Sequence, residues 1–69
     1  MRLSIRNSLK GKIAAISRGP VSTEVIIHVA PGIDLVSVIT TESAERLNLK
    51  EGQQAYALIK SSSISIGVD

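Results

Sequence analysis

Six side chains of this sequence are hydrogen-bond donors placed where a chain element starts or stops: Ser4, Arg6, Thr40, Ser43, Lys60 and Ser61. Two are cationic and four carry hydroxyls, a set whose chemistry is to hold an oxyanion. Such a ligand accepts hydrogen bonds, and they are strongest where one partner is charged. Thr40 and Ser43 also bracket a helix start, where free backbone N–H groups and the helix dipole favour negative charge. Each residue has a plainer role too. Thr40 suits a helix cap, Lys60 a surface lysine laid along apolar neighbours, Ser61 a turn former and Arg6 a solvated charge. On types and spacing alone both readings stay open.

Other chemistry finds little support. The chain has no cysteine, which removes thiol nucleophiles, disulfides and thiolate metal sites together. Neither a nucleophile-elbow pattern nor a Walker-type glycine run occurs, so no enzyme is expected. The single histidine, His28, lies on a strand opposite the core face and reads as a surface or interface residue. It cannot build a zinc site without carboxylates or other subunits, so neither a bare metal cation nor a cofactor is expected. Glu42 and Glu45 read as solvated helix charge. Lys10, Lys12 and Arg18 are able to touch phosphates, but an open nucleic-acid face also needs stacking platforms. Tyr56 is the only aromatic residue.

The elements that must position the six donors follow from periodicity. "VSTEVIIHVA" alternates, with Val21, Thr23, Val25, Ile27 and Val29 on one face. "GKIAAISRG" reads as a strand before it, joined through Gly19-Pro20, and "LVSVIT" as a strand after the "APGID" turn. In "TTESAERLNL" the period lengthens to that of a short helix, with Thr40 or Thr41 as N-cap and Glu42 in the first turn. "AYALIK" and "SISIGV" read as closing strands and "LSIR" as an opening one. About six short strands and one helix predict an all-β barrel or sandwich spanning residues 1–69 as one domain.

A 69-residue chain buries only roughly 60 % of its unfolded surface. With disulfides and metal removed, oligomerisation is the expected support. The net charge of +2 points to no particular polyanion. No leader-like segment or run of roughly 20 apolar residues is present. A soluble, cytoplasmic protein with no membrane partner is expected.

Taken in order and spacing, "SIRNSLKGKI", "GPVSTEVII", "VITTESAERLNLKEG" and "ALIKSS" resemble the molbindins, or Mop family. These small molybdate-binding proteins share a module with the TOBE domains of molybdate transporters and regulators. The resemblance covers about residues 2 to 67. It implies an OB-like five-stranded barrel with a short helix, assembled as a hexamer (a trimer of dimers) with N-terminal strands exchanged. It further implies that molybdate or tungstate sits between subunits, for intracellular molybdenum storage or homeostasis. One kind of site would use Ser4, Arg6, Lys60 and Ser61, with Thr40 and Ser43 from a neighbouring chain. A second, near a threefold axis, would draw on Gly19, Pro20, Val21 and Ser22. Two departures stand out: Ile5 replaces a small residue, and Pro31 replaces a common glycine. In another class, "TTESAERLNLKEGQQAYALI" resembles swapped-hairpin DNA-binding regulators of the transition-state type. The scattered basic residues and the first 30 positions do not fit that alternative.

Overall fold

A computed structural model describes residues 1–69. Four strands form one antiparallel sheet in the order β3-β2-β1-β4. They are β1 (Asn7–Arg18), β2 (Ser22–Ala30), β3 (Ile33–Thr40) and β4 (Gln54–Ile59). A short helix, α1 (Thr41–Arg46), lies between β3 and β4, and a 3₁₀ turn covers Ser61–Ser63.

Strand β1 is longer than expected because it serves two partners. Its first half, Asn7–Lys12, pairs with β4, and its second half, Lys12–Arg18, pairs with β2. The exchange of partners happens at Lys12, opposite both His28 and Gln54, and the register then shifts between Ile13 and Ala15. Gly11 precedes that point. A Cβ there would stand 2.5 Å from the His28 carbonyl oxygen, so only glycine lets the strands pass this closely. The extra residue bends the ladder and curls the sheet.

The alternation of β2 puts Val25 and Ile27 into the core with Ile13 of β1. Ile16, Val29, Ile39, Leu49, Ala55 and Ala57 pack around them. Thr23, in the same row, is fully buried as well. Ala44 anchors α1 with no exposed surface. Thr40 is the N-cap: its hydroxyl accepts from the Ser43 amide at 3.1 Å. The helix stops in a Schellman motif, the amides of Asn48 and Leu49 donating to the carbonyls of Glu45 and Ala44. Asn48 takes the left-handed conformation at φ 54, a role asparagine shares with glycine.

Both terminal segments depart from expectation. "LSIR" and "SISIGV" do not pair within the chain, which therefore holds four strands rather than five or six. The cause is local. Lys60 leads into the 3₁₀ turn, so β4 ends at Ile59 opposite Asn7, and residues before Asn7 have no ladder beside them. Beyond the turn, Ile66 and Val68 are each 91 % exposed. Strands β3 and β4 are left as sheet edges. Between them runs a groove of about 520 Å³, lined by residues such as Ile27, Leu35, Val36 and Leu58. No helix is long and apolar enough to cross a membrane.

Candidate functional site

The six donors fall into two groups, set by the direction of β1. Arg6 immediately precedes β1 and Lys60 immediately follows β4, whose last pair is Asn7 with Ile59. Ser61 opens the 3₁₀ turn, and Ser4 lies two residues before Arg6. All four are exposed. The antiparallel register thus brings the S-x-R and K-S pairs to the same end of the sheet.

Thr40 and Ser43 are at the other end. Thr40 closes β3 opposite Ser22, beside the level at which Arg18 meets Thr23. From Asn7 to Arg18 the strand runs roughly 36 Å along its curved path at about 3.3 Å per residue. One chain therefore separates its two cations from its helix start. No single oxyanion, a few ångströms across, can touch both groups of one chain.

The helix start is already organised internally. The Thr40 hydroxyl donates to Ser43 Oγ at 2.8 Å while accepting from the Ser43 amide. The Thr41 amide donates to the Val21 carbonyl at 2.8 Å. The Gly19–Ser22 turn lies against this helix start and is closed by Gly19 N–H donating to the Ser22 carbonyl at 2.9 Å. A Cβ on Gly19 would stand 2.7 Å from that carbonyl oxygen. The loop expected to form a second kind of site and the helix-start pair are thus adjacent in one chain.

The sequence reading placed Thr23 only on the core face and Thr41 only as an alternative N-cap, and neither as a tie between the helix start and the Gly19–Ser22 turn. Their hydroxyls meet at 2.8 Å, and Thr41 Oγ1 donates to the Gly19 carbonyl at 2.7 Å. The available signal was Thr23 itself, a hydroxyl in an otherwise apolar strand row. Arg18 adds a further tie, donating to the Leu49 carbonyl at 3.0 Å.

Of the remaining polar residues, Glu42 lies between Thr40 and Ser43 in the first turn of α1. His28 Nδ1 and Asp34 Oδ1 meet at 2.7 Å across β2 and β3, both half-exposed, so the histidine is the surface residue expected. Glu42, Glu45, Lys10 and Lys12 are exposed. No group of three or more carboxylate, histidine or cysteine side chains converges as a metal site would require. Pro31 is exposed in the β2–β3 turn, where Gly32 supplies the positive φ of 75; Ile5 is partly buried beside Arg6.

Comparison with known proteins gives a consistent result. The TOBE domain model matches residues 3–66. Molybdenum-pterin-binding protein 3 of Clostridium pasteurianum is 42 % identical over 66 residues, covering 96 % of this chain and 97 % of that protein. Among solved structures, MopII from Clostridium pasteurianum superposes with a TM-score of 0.91 at 37 % identity, covering 97 % of this chain and 100 % of that one. A molybdate-binding protein from Sporomusa ovata gives a TM-score of 0.91 at 29 % identity, with 99 % and 100 % covered.

Proposed function

Because this chain belongs to the TOBE-domain family, we propose that it binds molybdate, and tungstate with it, at boundaries between its own subunits. Its role is intracellular molybdenum storage or homeostasis in the cytoplasm, as a binding protein rather than an enzyme. The observation that carries this reading is the division of the donors. Ser4, Arg6, Lys60 and Ser61 gather at one end of the sheet, and Thr40 and Ser43 at the other. A second copy, reversed in direction, brings the helix start of one chain to the cationic end of the next. The relatives' molybdate binding supports the choice of ligand.

The chemistry suits the anion. Molybdate at neutral pH is an unprotonated dianion, so it accepts hydrogen bonds and donates none. Arg6 and Lys60 offset its charge, and the four hydroxyls and nearby amides complete its coordination without a metal ion. Size selects among tetrahedral dianions, because the donors are fixed to two separate sheets.

Assembly has its own support. Only five of 69 residues are buried in the single chain, too few for a stable lone domain. Leu3, Ile64, Ile66 and Val68 are exposed on unpaired segments, while β3 and β4 present open edges. A strand from a partner, the N-terminal one in this reading, supplies the fifth strand of the barrel and closes it. The assembled form is a hexamer, a trimer of dimers, and Gly19–Ser22 contributes to a second site at its threefold axis. A thermal-shift screen of oxyanions, combined with light scattering, tests the reading. Stabilisation by molybdate of an oligomer supports it. A monomer, or equal stabilisation by every anion, overturns it.

A further inference from the structure

We propose that Thr41 is a positioning residue for molybdate binding, acting through a part-buried hydroxyl relay that fixes the helix start against the Gly19–Ser22 turn. The inference rests on the reading above that Thr40 and Ser43 contact the anion, and it deepens that reading. Thr41 itself points away from the ligand side of the helix start and into the sheet. Its hydroxyl lies 2.8 Å from that of Thr23 and 2.7 Å from the Gly19 carbonyl.

The direction of the relay follows from proton count. A carbonyl only accepts, so the Thr41 proton goes to Gly19. The Thr23 proton then goes to Thr41 Oγ1, which accepts it on a lone pair. Thr23 has no exposed surface and sits in the row of Val25 and Ile27, so Thr41 is its partner in the absence of water. The Thr41 amide meanwhile grips the Val21 carbonyl at 2.8 Å. One residue thus holds the turn at two points, Gly19 and Val21, on either side of Pro20. A six-residue helix is too short to hold its own orientation. Ala44 packs the middle of the helix into the core, and Thr41 fixes its start, one position from Thr40 and two from Ser43. The network contains no charge and no exposed donor, so it is no binding site of its own. It determines where the neighbouring hydroxyls stand.

The same relay also contributes to stability, and the test must separate the two roles. Valine has the shape of threonine without the hydroxyl. Thr41→Val leaves Thr23 buried with an unpaired proton, which destabilises the fold. Thr23→Val combined with Thr41→Val removes both hydroxyls of that pair, which offsets the loss at Thr23, while the carbonyl of the partly exposed Gly19 still loses its donor. Calorimetric titration with molybdate and thermal melting are measured for Thr41→Val, Thr41→Ser and the double valine variant, with Arg6→Ala alongside. The expected results are molybdate affinity lowered about tenfold in Thr41→Val, the size of one lost hydrogen bond, and affinity near the wild-type value in Thr41→Ser. In the double variant the melting temperature recovers in part while the affinity stays low. Full affinity in Thr41→Val, or recovery of affinity together with stability in the double variant, overturns the proposal and leaves the relay purely structural. Full affinity in Arg6→Ala instead overturns the reading of the site on which the proposal stands.

Discussion

Gly11→Ala isolates the close passage that lets β1 change partners. The added methyl would sit 2.5 Å from the His28 carbonyl oxygen, 3.0 Å from Ile27 Cγ2 and 3.0 Å from Val29 Cγ1. The nearest contact is backbone, so no rotamer change relieves it. Gly11 does not use a positive φ, which makes alanine acceptable in conformation and leaves sterics as the difference. Overpacking of this kind destabilises by about 1–3 kcal/mol. Reduced freedom of the unfolded chain returns about 0.4–1 kcal/mol. At mid-range values the net loss is about 1.3 kcal/mol, which lowers Tm by roughly 5–10 °C in a domain of this size. Differential scanning calorimetry at fixed protein concentration reads it, since Tm in an oligomer depends on concentration. A Gly11→Ala protein as stable as wild type would refute the account that the close approach to the His28 carbonyl requires glycine.

Three further outcomes are expected. Arg6→Ala and Lys60→Ala each lose a charge-assisted hydrogen bond of roughly 1.5–3 kcal/mol, read by calorimetric titration as an affinity loss of about 10- to 150-fold in a protein that still folds. Oxyanions rank with molybdate and tungstate together, well ahead of sulfate, and with phosphate weak; saturating molybdate at about 100 times Kd stabilises each site by roughly 2.7 kcal/mol, and sulfate matching that rise in Tm contradicts the ranking. Thr40→Ala removes the cap on the Ser43 amide and destabilises the fold by about 1 kcal/mol while also weakening molybdate binding, a pair of effects that melting and titration measure separately.

Strand β2 was legible because its row of Val25 and Ile27 is buried on one side, which is the condition that writes a period of two into a sequence. The helix start was legible for a similar reason, as a threonine three residues before a serine, although Thr40 and Thr41 stood as equal candidates for the cap. The structure divides their roles: Thr40 caps, and Thr41 turns inward to Thr23 and Gly19. The full length of β1 was hidden because Lys10, Gly11 and Lys12 interrupt its apolar alternation, and a strand bridging two partners changes its environment midway. "SISIGV" alternates as a strand does, but alternation states that an edge is wanted without saying which edge. The six donors were identifiable by type. Their division into two groups came only from the family resemblance, since composition and periodicity do not fix the register of β1 with β4 or the length of β1.

Mixing two inactive variants tests most directly the claim that each site is built from two chains. One variant carries Arg6→Ala and Lys60→Ala, the other Thr40→Ala and Ser43→Ala. Neither alone is expected to bind molybdate at micromolar concentration. After unfolding and refolding together in equal amounts, random assortment in a symmetric oligomer pairs an intact cationic end with an intact helix start at about a quarter of the sites. Calorimetric titration of the mixture should then recover about that fraction of wild-type binding, with wild-type affinity, while native mass spectrometry verifies that mixed oligomers have formed. Mixed oligomers that bind no molybdate would contradict a site shared between chains, as would tight binding by the variant lacking both cations.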